Sequence, residues 1–355
     1  MSTIGQRKAD HLTICAREDV GFKDASTLLQ CVRFVHDALP DMHLEEIDTT
    51  VTLLGKRLRA PIVIASMTGG TDEAGRINRE LAGIAEERGY GFGLGSQRVM
   101  HVKPGSKDTF RVRDVAPTAL VIGNVGVVQA RTMTTSEVQA LVDDVGADGL
   151  CVHMNPAMEL IQPAGDRDFR GGLETIGRLV AELRVPVVAK ETGCGISPSV
   201  GYRLQSVGVR HVDVSGAGGT SWVGVETKRA ALAGDEASRR LGAALWDWGI
   251  PTAASVSWLA SFGFETLVAT GGIGTGLDVA RSIALGATAA GLARPVLRAL
   301  AEGGRDAAVD FLAGVEVELK AVMLLTGSRD VGALRRAPRV VIGDLKAWID
   351  QLGVV

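Results

Sequence analysis

The stretch 148–168, DGLCVHMNPAMELIQPAGDRD, places a histidine, an amide and a carboxylate close together in the sequence. His153 and Asn155 are two residues apart, so an extended strand would turn both side chains to the same face. Because Mg2+ binds one or two carboxylates together with substrate phosphates, Glu159 is a candidate magnesium ligand, with a surface charge as the alternative. Zinc is not expected, since the Cys and His spacing of zinc sites is absent.

Glycines separate an apolar run from a helical pattern in the segment VATGGIGTGLDVARSIALG, at Gly271, Gly272, Gly274 and Gly276. The next apolar run ends in GLAR, at 291–294. In parallel barrels, the loops after the last two strands commonly bind phosphate through backbone N–H groups at a helix N-terminus. Such glycines also occur in ordinary turns, but their place in the strand order favours a phosphate site that suits a nucleotide such as FMN.

Polar side chains also end other apolar runs. Lys190 ends one run in VVAKETG, where its charge should face the mouth of a barrel. A cation there would stabilise the negative charge of a reduced flavin, and the alternative is a structural ion pair with Glu191 or Asp213. Hydroxyl and amide groups suited to the edge of a flavin ring end three earlier runs, at Thr68, Ser96 and Asn124.

Basic residues form two groups that suit an anion. Arg7, Lys8 and His11 cluster near the N-terminus, and Gln97 and Arg98 follow the second apolar run. Arg and Lys are the natural partners of a diphosphate, so these groups are candidates for binding one. Taken alone, an N-terminal Arg-Lys pair is also typical of a disordered terminus.

These residues need a scaffold that gathers many strand ends at one place. From residue 60 onward, apolar runs alternate with helical patterns, which indicates alternating strands and helices. The α/β pattern predicts a (β/α)8 TIM barrel with an N-terminal extension and terminal helices, and a doubly wound open sheet is the alternative. The predicted strands lie near 61–66, 91–94, 119–123, 148–153, 186–190, 210–214, 266–270 and 288–292, and the helices include 74–88, 136–145, 172–183, 198–207 and 277–285.

Two regions lie outside this alternation. We interpret residues 1–58 as an N-terminal extension that contributes to the substrate site, and 59–355 as the FMN-binding barrel. The gap 215–265 is too long for an ordinary connection. We expect a helix broken at Gly249–Pro251 and, over 223–240, a mobile lid, a subunit contact or a solvated surface loop.

Composition excludes several classes of protein. The formal net charge of −3 gives no overall field that would attract nucleic acid. The four cysteines lie far apart, and we expect reduced thiols in a cytoplasmic protein. The N-terminal sequence lacks the apolar core of a signal peptide, and no run of about 18 apolar residues predicts a membrane span.

The order and spacing of nine motifs resemble type 2 isopentenyl diphosphate isomerase, from about residue 7 to beyond 340. The resemblance implies an FMN-bound barrel that interconverts isopentenyl and dimethylallyl diphosphate with reduced FMN and Mg2+. It also implies NADPH or another reductant for the flavin, and a homotetramer or larger homo-oligomer. The motifs are RKADHL (7–12), ASMTGGT (65–71), GSQR (95–98), GNVG (123–126), HMNPAMELIQPAGDRDF (153–169), AKETGCGIS (189–197), DVSGAGGTSW (213–222), TGGIGTGLDVA (270–280) and GLAR (291–294).

The resemblance also assigns roles to single residues. His153 and Asn155 match family residues near the substrate, Glu159 matches the magnesium ligand, and His153 and Lys190 are candidate catalytic residues. The FMN contacts are assigned to Ser66, Met67, Thr68, Gly69, Ser96, Asn124, Lys190, Ser215, Thr220, Gly271, Gly272, Ile273, Ala293 and Arg294. The substrate diphosphate is assigned to Arg7, Lys8, Ser96, Gln97 and Arg98.

One position departs from the family pattern HxNxxQE. This chain reads HMNPAME, so Met158 stands where the family has a glutamine at the reacting end of the substrate. A thioether cannot donate a hydrogen bond, and losing acid–base help typically slows a reaction by about 10²–10⁴-fold. Gln162 lies nearby, but the family pattern also tolerates glutamine there, so we do not treat it as a replacement. The departure suggests a weaker isomerase, a pocket for a bulkier prenyl diphosphate, or a variant that binds ligands and turns over poorly.

The chemistry expected from the resemblance moves a double bond by one carbon. A proton is added at one carbon and removed from another, so the reaction is redox-neutral and FMN acts as an acid–base catalyst. Two other classes stay open: a flavin oxidoreductase of the same barrel type, and a non-catalytic protein that binds a flavin or a prenyl diphosphate. Net oxidation of the substrate would indicate the first, and tight diphosphate binding without turnover the second.

Overall fold

The computed structural model describes residues 4–163 and 165–352. Its strands are β1 Val32–Phe34, β2 Val51–Leu53, β3 Lys56–Leu58, β4 Ile62–Ile64, β5 Gly91–Gly93, β6 Leu120–Gly126, β7 Gly149–Met154, β8 Val187–Glu191, β9 His211–Asp213, β10 Thr266–Thr270, β11 Ala289–Leu292 and β12 Arg339–Val341. Its helices are α1 Ile4–Arg17, α2 Asp72–Arg88, α3 Arg98–Val102, α4 Val127–Arg131, α5 Thr135–Val145, α6 Pro156–Ile161, α7 Gly172–Glu182, α8 Pro198–Ser206, α9 Trp222–Leu232, α10 Glu236–Ala244, α11 Thr252–Leu259, α12 Gly276–Ala284, α13 Arg294–Leu325, α14 Val331–Arg336 and α15 Gly343–Leu352.

The strands β4 to β11 form a closed barrel with parallel pairing throughout. Strands that follow each other in the sequence are neighbours, and β11 closes the barrel by pairing with β4 through Gly291 and Val63. The predicted TIM barrel is confirmed, and the alternative of an open doubly wound sheet is wrong. Because all eight strands point the same way, their carboxyl ends meet at one mouth.

Capping residues at the helix ends explain why the predicted helix bounds lie close to the observed ones. Thr71 accepts a hydrogen bond from the Ala74 N–H at the start of α2, and the helix ends at Gly89 in the left-handed conformation. Thr134 and Glu137 form a capping box at the start of α5, which also ends at a left-handed glycine. The turns that orient the barrel strands are therefore specified locally.

A short hairpin, β2–β3, fills the amino-terminal end of the barrel. Leu53 and Leu58 pack in one apolar cluster with inward residues of the strands. The hairpin turns at Leu54 and Gly55, whose φ angles of 48° and 82° are typical of a two-residue type I′ turn. Lys56 Nζ donates to the carbonyl oxygen of Ala119, just before β6 begins, which places the hairpin at the amino-terminal mouth.

The N-terminal extension is joined to the carboxyl-terminal part of the chain. Helix α1 packs against α9 and α13 and carries Arg7, Lys8 and His11 to the mouth of the barrel. Strand β1 pairs antiparallel with β12, with Val32 opposite Val341. The extension is thus held from both sides by elements that come late in the sequence.

The region 215–265 contains three helices, α9, α10 and α11. The predicted break is confirmed, since α11 begins directly after Pro251. The alternative of a solvated loop is wrong for 223–230, which lie in α9 with Glu226 fully buried, whereas 231–240 are mostly exposed and contain the turn between α9 and α10. Burial of α9 against α1 and α6 explains the difference.

Terminal helices follow the barrel, as predicted. Helix α13 spans 32 residues and is kinked at Gly304, whose φ angle of 73° lies outside the helical region. Over residues 4–163 and 165–352, no helix combines the length and the apolar character that crossing a membrane requires.

Candidate active site

A cavity of about 560 Å3 opens at the carboxyl ends of the barrel strands. It gathers side chains from nearly every part of the chain that the motifs singled out. The predicted residues that line it are Arg7, Lys8, His11, Ser66, Met67, Thr68, Ser96, Arg98, Asn124, His153, Asn155, Met158, Glu159, Lys190, Ser215, Thr220, Gly271, Gly272, Ile273, Ala293 and Arg294.

Two predicted site residues, Gln97 and Gly69, lie behind the cavity wall. The side chain of Gln97 is completely buried: its Nε2 donates to the Leu141 carbonyl (2.7 Å), and its Oε1 accepts the N–H of Asn124 (2.9 Å). Both ends of this amide are thus occupied in the wall, and the assignment of Gln97 to the diphosphate stays a prediction that its side chain does not support. Gly69 packs against Phe110, whose ring a Cβ at this position would meet at 2.0 Å.

Strand register brings His153, Lys190 and Asp213 side by side. His153 lies opposite Lys190, and Lys190 lies opposite Asp213, on the neighbouring strands β7, β8 and β9. Lys190 Nζ is 2.6 Å from Asp213 Oδ2 and 3.0 Å from Thr270 Oγ1. Lys190 therefore lines the cavity and also forms a buried ion pair, so the ion-pair alternative is confirmed, whereas a contact with a flavin stays a prediction. The partner is Asp213, whereas Glu191 accepts the N–H groups of its own loop.

His153 is held in one orientation. Its Nδ1–H donates to Asn124 Oδ1 at 2.7 Å, which leaves Nε2 without a proton in the neutral ring. Burial, together with the positive charges of Lys190 and Lys8, lowers the pKa of His153 to about 4. At neutral pH the ring is therefore uncharged, and it offers a hydrogen-bond acceptor rather than a cation.

Three cations converge on the cavity: Arg7, Lys8 and Arg98. Within the described part of the chain, none of them forms an ion pair with a carboxylate, and Arg7 Nε is buried without a hydrogen-bond partner. Lys8 Nζ donates to the Ser96 carbonyl at 3.0 Å, and burial and Arg7 lower its pKa to about 7. Grouped, partly buried cations repel one another, so this arrangement favours binding of a polyanion.

His11 belongs to a buried network that the sequence did not reveal. Its Nε2 lies 2.7 Å from Glu226 Oε1, and Arg229 Nη1 donates to Glu226 Oε2 at 2.6 Å. Burial alone would raise the pKa of Glu226, but His11 and Arg229 hold it below its ordinary value. The ring of Trp222 meets His11 edge-on, with centroids 5.3 Å apart. This network fixes α1 to α9 at the cavity.

Two arginines of α13 lie where the glycine-rich loops meet the end of α1. Arg294 donates to the carbonyls of Cys15 (3.1 Å) and Glu18 (2.6 Å). Arg298, which the motifs did not include, also lines the cavity, and its Nε is buried without a partner among residues 4–163 and 165–352. The sequence could have indicated Arg298 as a site residue, because it lies one helical turn after Arg294. These guanidinium groups connect the end of α1 to the predicted phosphate loops.

Glu159 is enclosed by hydrogen-bond donors. Asn155 Nδ2 contacts its Oε1 at 3.0 Å, and its Oε2 accepts from Gln162 Nε2 (3.3 Å) and from the Asp166 N–H (2.9 Å). A Cβ at Gly165 would lie 2.9 Å from the same oxygen, so glycine is required for this close approach. The carboxylate is thus buried, lines the cavity and has a fixed orientation.

The ligand chemistry around Glu159 suits Mg2+. Among the described residues, no group of three or more His, Cys, Asp or Glu side chains could hold a metal ion. A cation at Glu159 would therefore take most of its ligands from amide oxygens, water and substrate phosphate. Mg2+ is typically bound in this way, by one or two carboxylates together with phosphates.

Met158 lines the cavity and is half-buried. Its Sδ lies 3.8 Å from Asn155 Nδ2, the atom that also contacts Glu159. The amide of Asn155 is therefore turned towards Glu159. At position 158 the cavity wall offers a thioether, which provides apolar surface and no hydrogen-bond donor.

The glycine-rich loops fit a phosphate-bearing cofactor. A Cβ at Gly219 would lie 2.3 Å from the Gly272 nitrogen, and a Cβ at Gly272 would lie 2.3 Å from Thr27 Cγ2, so only glycine permits this approach. Both loops line the cavity, the first just before α9 begins and the second just before α12 begins. Backbone N–H groups near a helix N-terminus suit a phosphate, and the polar groups of Thr68, Asn124 and Lys190 suit a flavin ring.

Comparison with known proteins gives the same picture. Residues 153–340 match the family model of FMN-dependent dehydrogenases. The chain is 44% identical over 354 residues to an isopentenyl-diphosphate delta-isomerase of Methanosarcina acetivorans, covering 99% of this chain and 96% of the relative. Enzymes of the same name from a Synechococcus species and from Pyrococcus furiosus are 47% and 40% identical, covering 94% and 97% of this chain and 96% and 89% of the relatives.

Solved structures show the same fold. A mandelate oxidase variant with an FMN adduct aligns with a TM-score of 0.64 at 18% identity, covering 95% of this chain and 98% of the other. A putative lactate oxidase from Pediococcus acidilactici aligns with a TM-score of 0.67 at 14% identity, covering 97% and 96%. At this identity the likeness concerns the barrel architecture alone.

Proposed function

This chain belongs to the isopentenyl-diphosphate delta-isomerase family, and we propose that it interconverts isopentenyl and dimethylallyl diphosphate as an FMN-dependent isomerase. One observation carries the proposal: Arg7, Lys8 and Arg98 meet without carboxylate partners in the cavity that the glycine-rich loops also line. A diphosphate substrate and a phosphate-bearing cofactor account for both features.

The chain's own residues divide the work as follows. Arg7, Lys8 and Arg98 bind the diphosphate, and the neutral ring of His153 presents Nε2 as a hydrogen-bond acceptor rather than as a further positive charge. Reduced FMN, when bound, would supply an electron-rich ring beside the developing positive charge and a proton donor at N5. Lys190 would favour the anionic form of that ring, because its ammonium lies in the cavity wall.

Glu159 would hold Mg2+ against the diphosphate, where the cation neutralises the phosphate charge and fixes the position of the substrate. Asn155 orients the Glu159 carboxylate. Reduction of the flavin by NADPH or another reductant, and assembly as a homotetramer or larger homo-oligomer, belong to the same proposal. The resemblance in sequence supports them.

Met158 is the reason for an alternative within this family, a chain with slower turnover or a different substrate preference. Met158 gives the reacting end no side-chain hydrogen-bond donor, so acid–base help at this position would be lost and a slow isomerase is expected. A flexible apolar side chain also leaves adaptable space for a longer prenyl chain. A chain with impaired turnover or altered chain-length preference is therefore the second form of the proposal.

An oxidoreductase is the second candidate class. The match of residues 153–340 to the family model of FMN-dependent dehydrogenases favours it. The grouped cations at Arg7, Lys8 and Arg98 favour a diphosphate over the single carboxylate of a hydroxy acid. Net substrate oxidation by the flavin would identify this alternative, because the isomerase reaction leaves the redox state unchanged.

The decisive test is an anaerobic assay with reduced FMN, Mg2+ and isopentenyl diphosphate, run on the wild-type chain and on Met158→Gln. We expect dimethylallyl diphosphate from both, with the variant faster by about 10²–10⁴-fold. Product from the variant alone would identify an impaired or retuned chain, and longer prenyl diphosphates would then be compared as substrates. No product from either protein would contradict the proposal.

A further inference from the structure

Gln162 is a cavity residue that the proposed chemistry leaves unexplained. Its side chain is 3% exposed and lines the cavity at the end of α6. One end of its amide is occupied, since Nε2 donates to Glu159 Oε2 at 3.3 Å. Its other end, Oε1, is buried and has no hydrogen-bond partner among the described residues. A buried amide oxygen without a partner destabilises the fold, so its presence here needs a reason.

We propose that Gln162 Oε1 is a second protein ligand of the divalent cation held by Glu159. The inference rests on the proposed function, because it assumes a cation at that carboxylate. An amide oxygen is a hard ligand of the kind that Mg2+ and Mn2+ prefer. Coordination would satisfy the orphaned oxygen, which no described protein donor does.

The helix geometry supports a shared ligand pair. Glu159 and Gln162 are three residues apart at the end of α6, a spacing that places side chains on one helix face. The backbone of Gln162 is fixed on both sides: its N–H donates to the Met158 carbonyl (3.1 Å), and its own carbonyl accepts from the Gly165 N–H (2.9 Å). The side chain is therefore held beside the carboxylate before any cation arrives.

The amide nitrogens of two other residues near Glu159 have partners, as that of Gln162 does. Asn155 Nδ2 contacts Glu159 Oε1, and Gln129 Nε2 donates to Asp166 Oδ2 at 2.7 Å. Asp166 presents its backbone N–H to Glu159, while its carboxylate faces Gln129. Of these groups, Gln162 Oε1 is the oxygen that is buried beside Glu159 without a partner. The proposal thus concerns one atom.

The first experiment measures Mn2+ binding to the FMN-loaded protein in the presence of inorganic diphosphate, using the EPR signal of free Mn2+. We expect Gln162→Leu to weaken Mn2+ binding by about tenfold or more, and Gln162→Glu, which keeps an oxygen at this position, to bind at least as tightly as wild type. The flavin spectrum and the unfolding midpoint of each variant establish that it is folded. Gln162→Leu binding Mn2+ as tightly as wild type would overturn the proposal.

A second experiment separates a ligand from a residue that only orients Glu159. A thiolate prefers the soft ion Cd2+ over Mn2+, so Gln162→Cys should raise the ratio of Cd2+ to Mn2+ affinity by about tenfold or more if position 162 touches the cation. Gln129→Cys is the matched control, because that amide also lines the cavity but is bonded to Asp166, and its ratio should stay at the wild-type value. Equal loss of both ions in Gln162→Cys would show a positioning role and overturn the proposal.

Failure of the underlying function has a different signature. If wild type and Glu159→Gln bind Mn2+ equally weakly in the presence of diphosphate, the magnesium site itself is absent, and the assignment of Gln162 falls with it. If wild type binds Mn2+ tightly and Glu159→Gln does not, the site exists, and the Gln162 variants alone decide this inference.

Discussion

The two mouths of the barrel differ in what fills them: apolar side chains at one end, and a cavity lined by polar groups at the other. At the amino-terminal mouth, Leu53 and Leu58 of the β2–β3 hairpin fill the space between the strands with apolar contacts. At the carboxyl-terminal mouth, Arg7, Gln162 and Arg298 line a cavity, and Arg7 Nε, Gln162 Oε1 and Arg298 Nε are buried without a hydrogen-bond partner in the described part of the chain. The first end contributes to the free energy of folding, whereas the second retains unpaired polar groups.

This difference indicates where ligands belong. Buried polar atoms without partners destabilise a protein unless something else satisfies them. Arg88 Nε and His211 Nδ1, near the amino-terminal ends of β5 and β9, are also buried without partners among the described residues, but neither residue lines the large cavity. The unpaired atoms of cavity-lining residues therefore mark the binding end. Substitutions at the apolar mouth should therefore change stability and leave turnover of the folded enzyme intact. Substitutions at the polar mouth should change catalysis or binding, with smaller effects on stability.

The largest effect is expected for Glu159→Gln, at the polar mouth. The variant keeps the shape of the side chain but removes the charge that would hold Mg2+, so kcat/KM should fall on the order of 10³-fold, the several kcal/mol that a Lewis acid contributes. Steady-state kinetics at high Mg2+ would measure the loss, and the urea midpoint should stay near that of wild type. Unchanged kcat/KM would remove Glu159 from the metal site.

Leu53→Ala tests the apolar mouth. Leu53 is completely buried in the hairpin cluster, so truncation should lower the free energy of unfolding by about 2–5 kcal/mol. Urea unfolding would measure it, and Leu39→Ala, at a side chain that is 89% exposed, is the control with a change below about 0.5 kcal/mol. If kcat/KM of folded Leu53→Ala fell along with stability, the proposed separation of the two mouths would be wrong.

The pH dependence of substrate capture should follow Lys8. Its pKa is lowered to about 7, so the ammonium is present below pH 7 and is lost as the pH rises above it. In the free enzyme, kcat/KM should therefore fall by up to about tenfold for each pH unit above 7. Lys8→Arg keeps its charge over this range, and its profile should be flat there. A wild-type profile as flat as that of Lys8→Arg would contradict the role of Lys8.

The smallest effect is expected at the hairpin turn. Gly55 has a φ angle of 82° and open space around its Cα, so Gly55→Ala should cost only backbone strain, about 1–2 kcal/mol of unfolding free energy. Gly314→Ala is the matched control, because it also meets open space but lies inside α13, where alanine should stabilise by about 1 kcal/mol. Urea midpoints would compare the two, and equal shifts would exclude strain at the turn.

The barrel and much of its mouth could be predicted because their signals are local. Apolar runs repeat at the spacing of strand–helix units, and several end in polar or glycine-rich sequence, at Lys190, Asn124 and near Gly271. This repeat predicts that the carboxyl ends of the strands meet at one mouth of the barrel. Caps at Thr71 and Thr134 set the helix bounds in the same local way.

The rest depends on contacts between distant segments. In the sequence, Gln97 is as good a candidate for the site as its neighbours Ser96 and Arg98. In the fold its side chain points into the barrel wall and forms hydrogen bonds with the backbone of Leu141 and Asn124. These contacts depend on how distant segments pack, so the sequence does not predict them. Glu226 lies in an ordinary helical stretch, and its burial follows from the docking of α1 through His11. Such residues acquire their roles from partners far away in the sequence.

The pairing of β1 with β12 also orders events during synthesis. The two strands lie about 300 residues apart, and α13, the other late partner of the extension, is also far from α1 in the sequence. A ribosome adds roughly 5–20 residues per second, so the extension waits on the order of 15–60 s for its partners. The cations of α1 thus reach their places only after α13, which begins at Arg294, has been made. A nascent chain would therefore complete its flavin loops before it could capture a diphosphate.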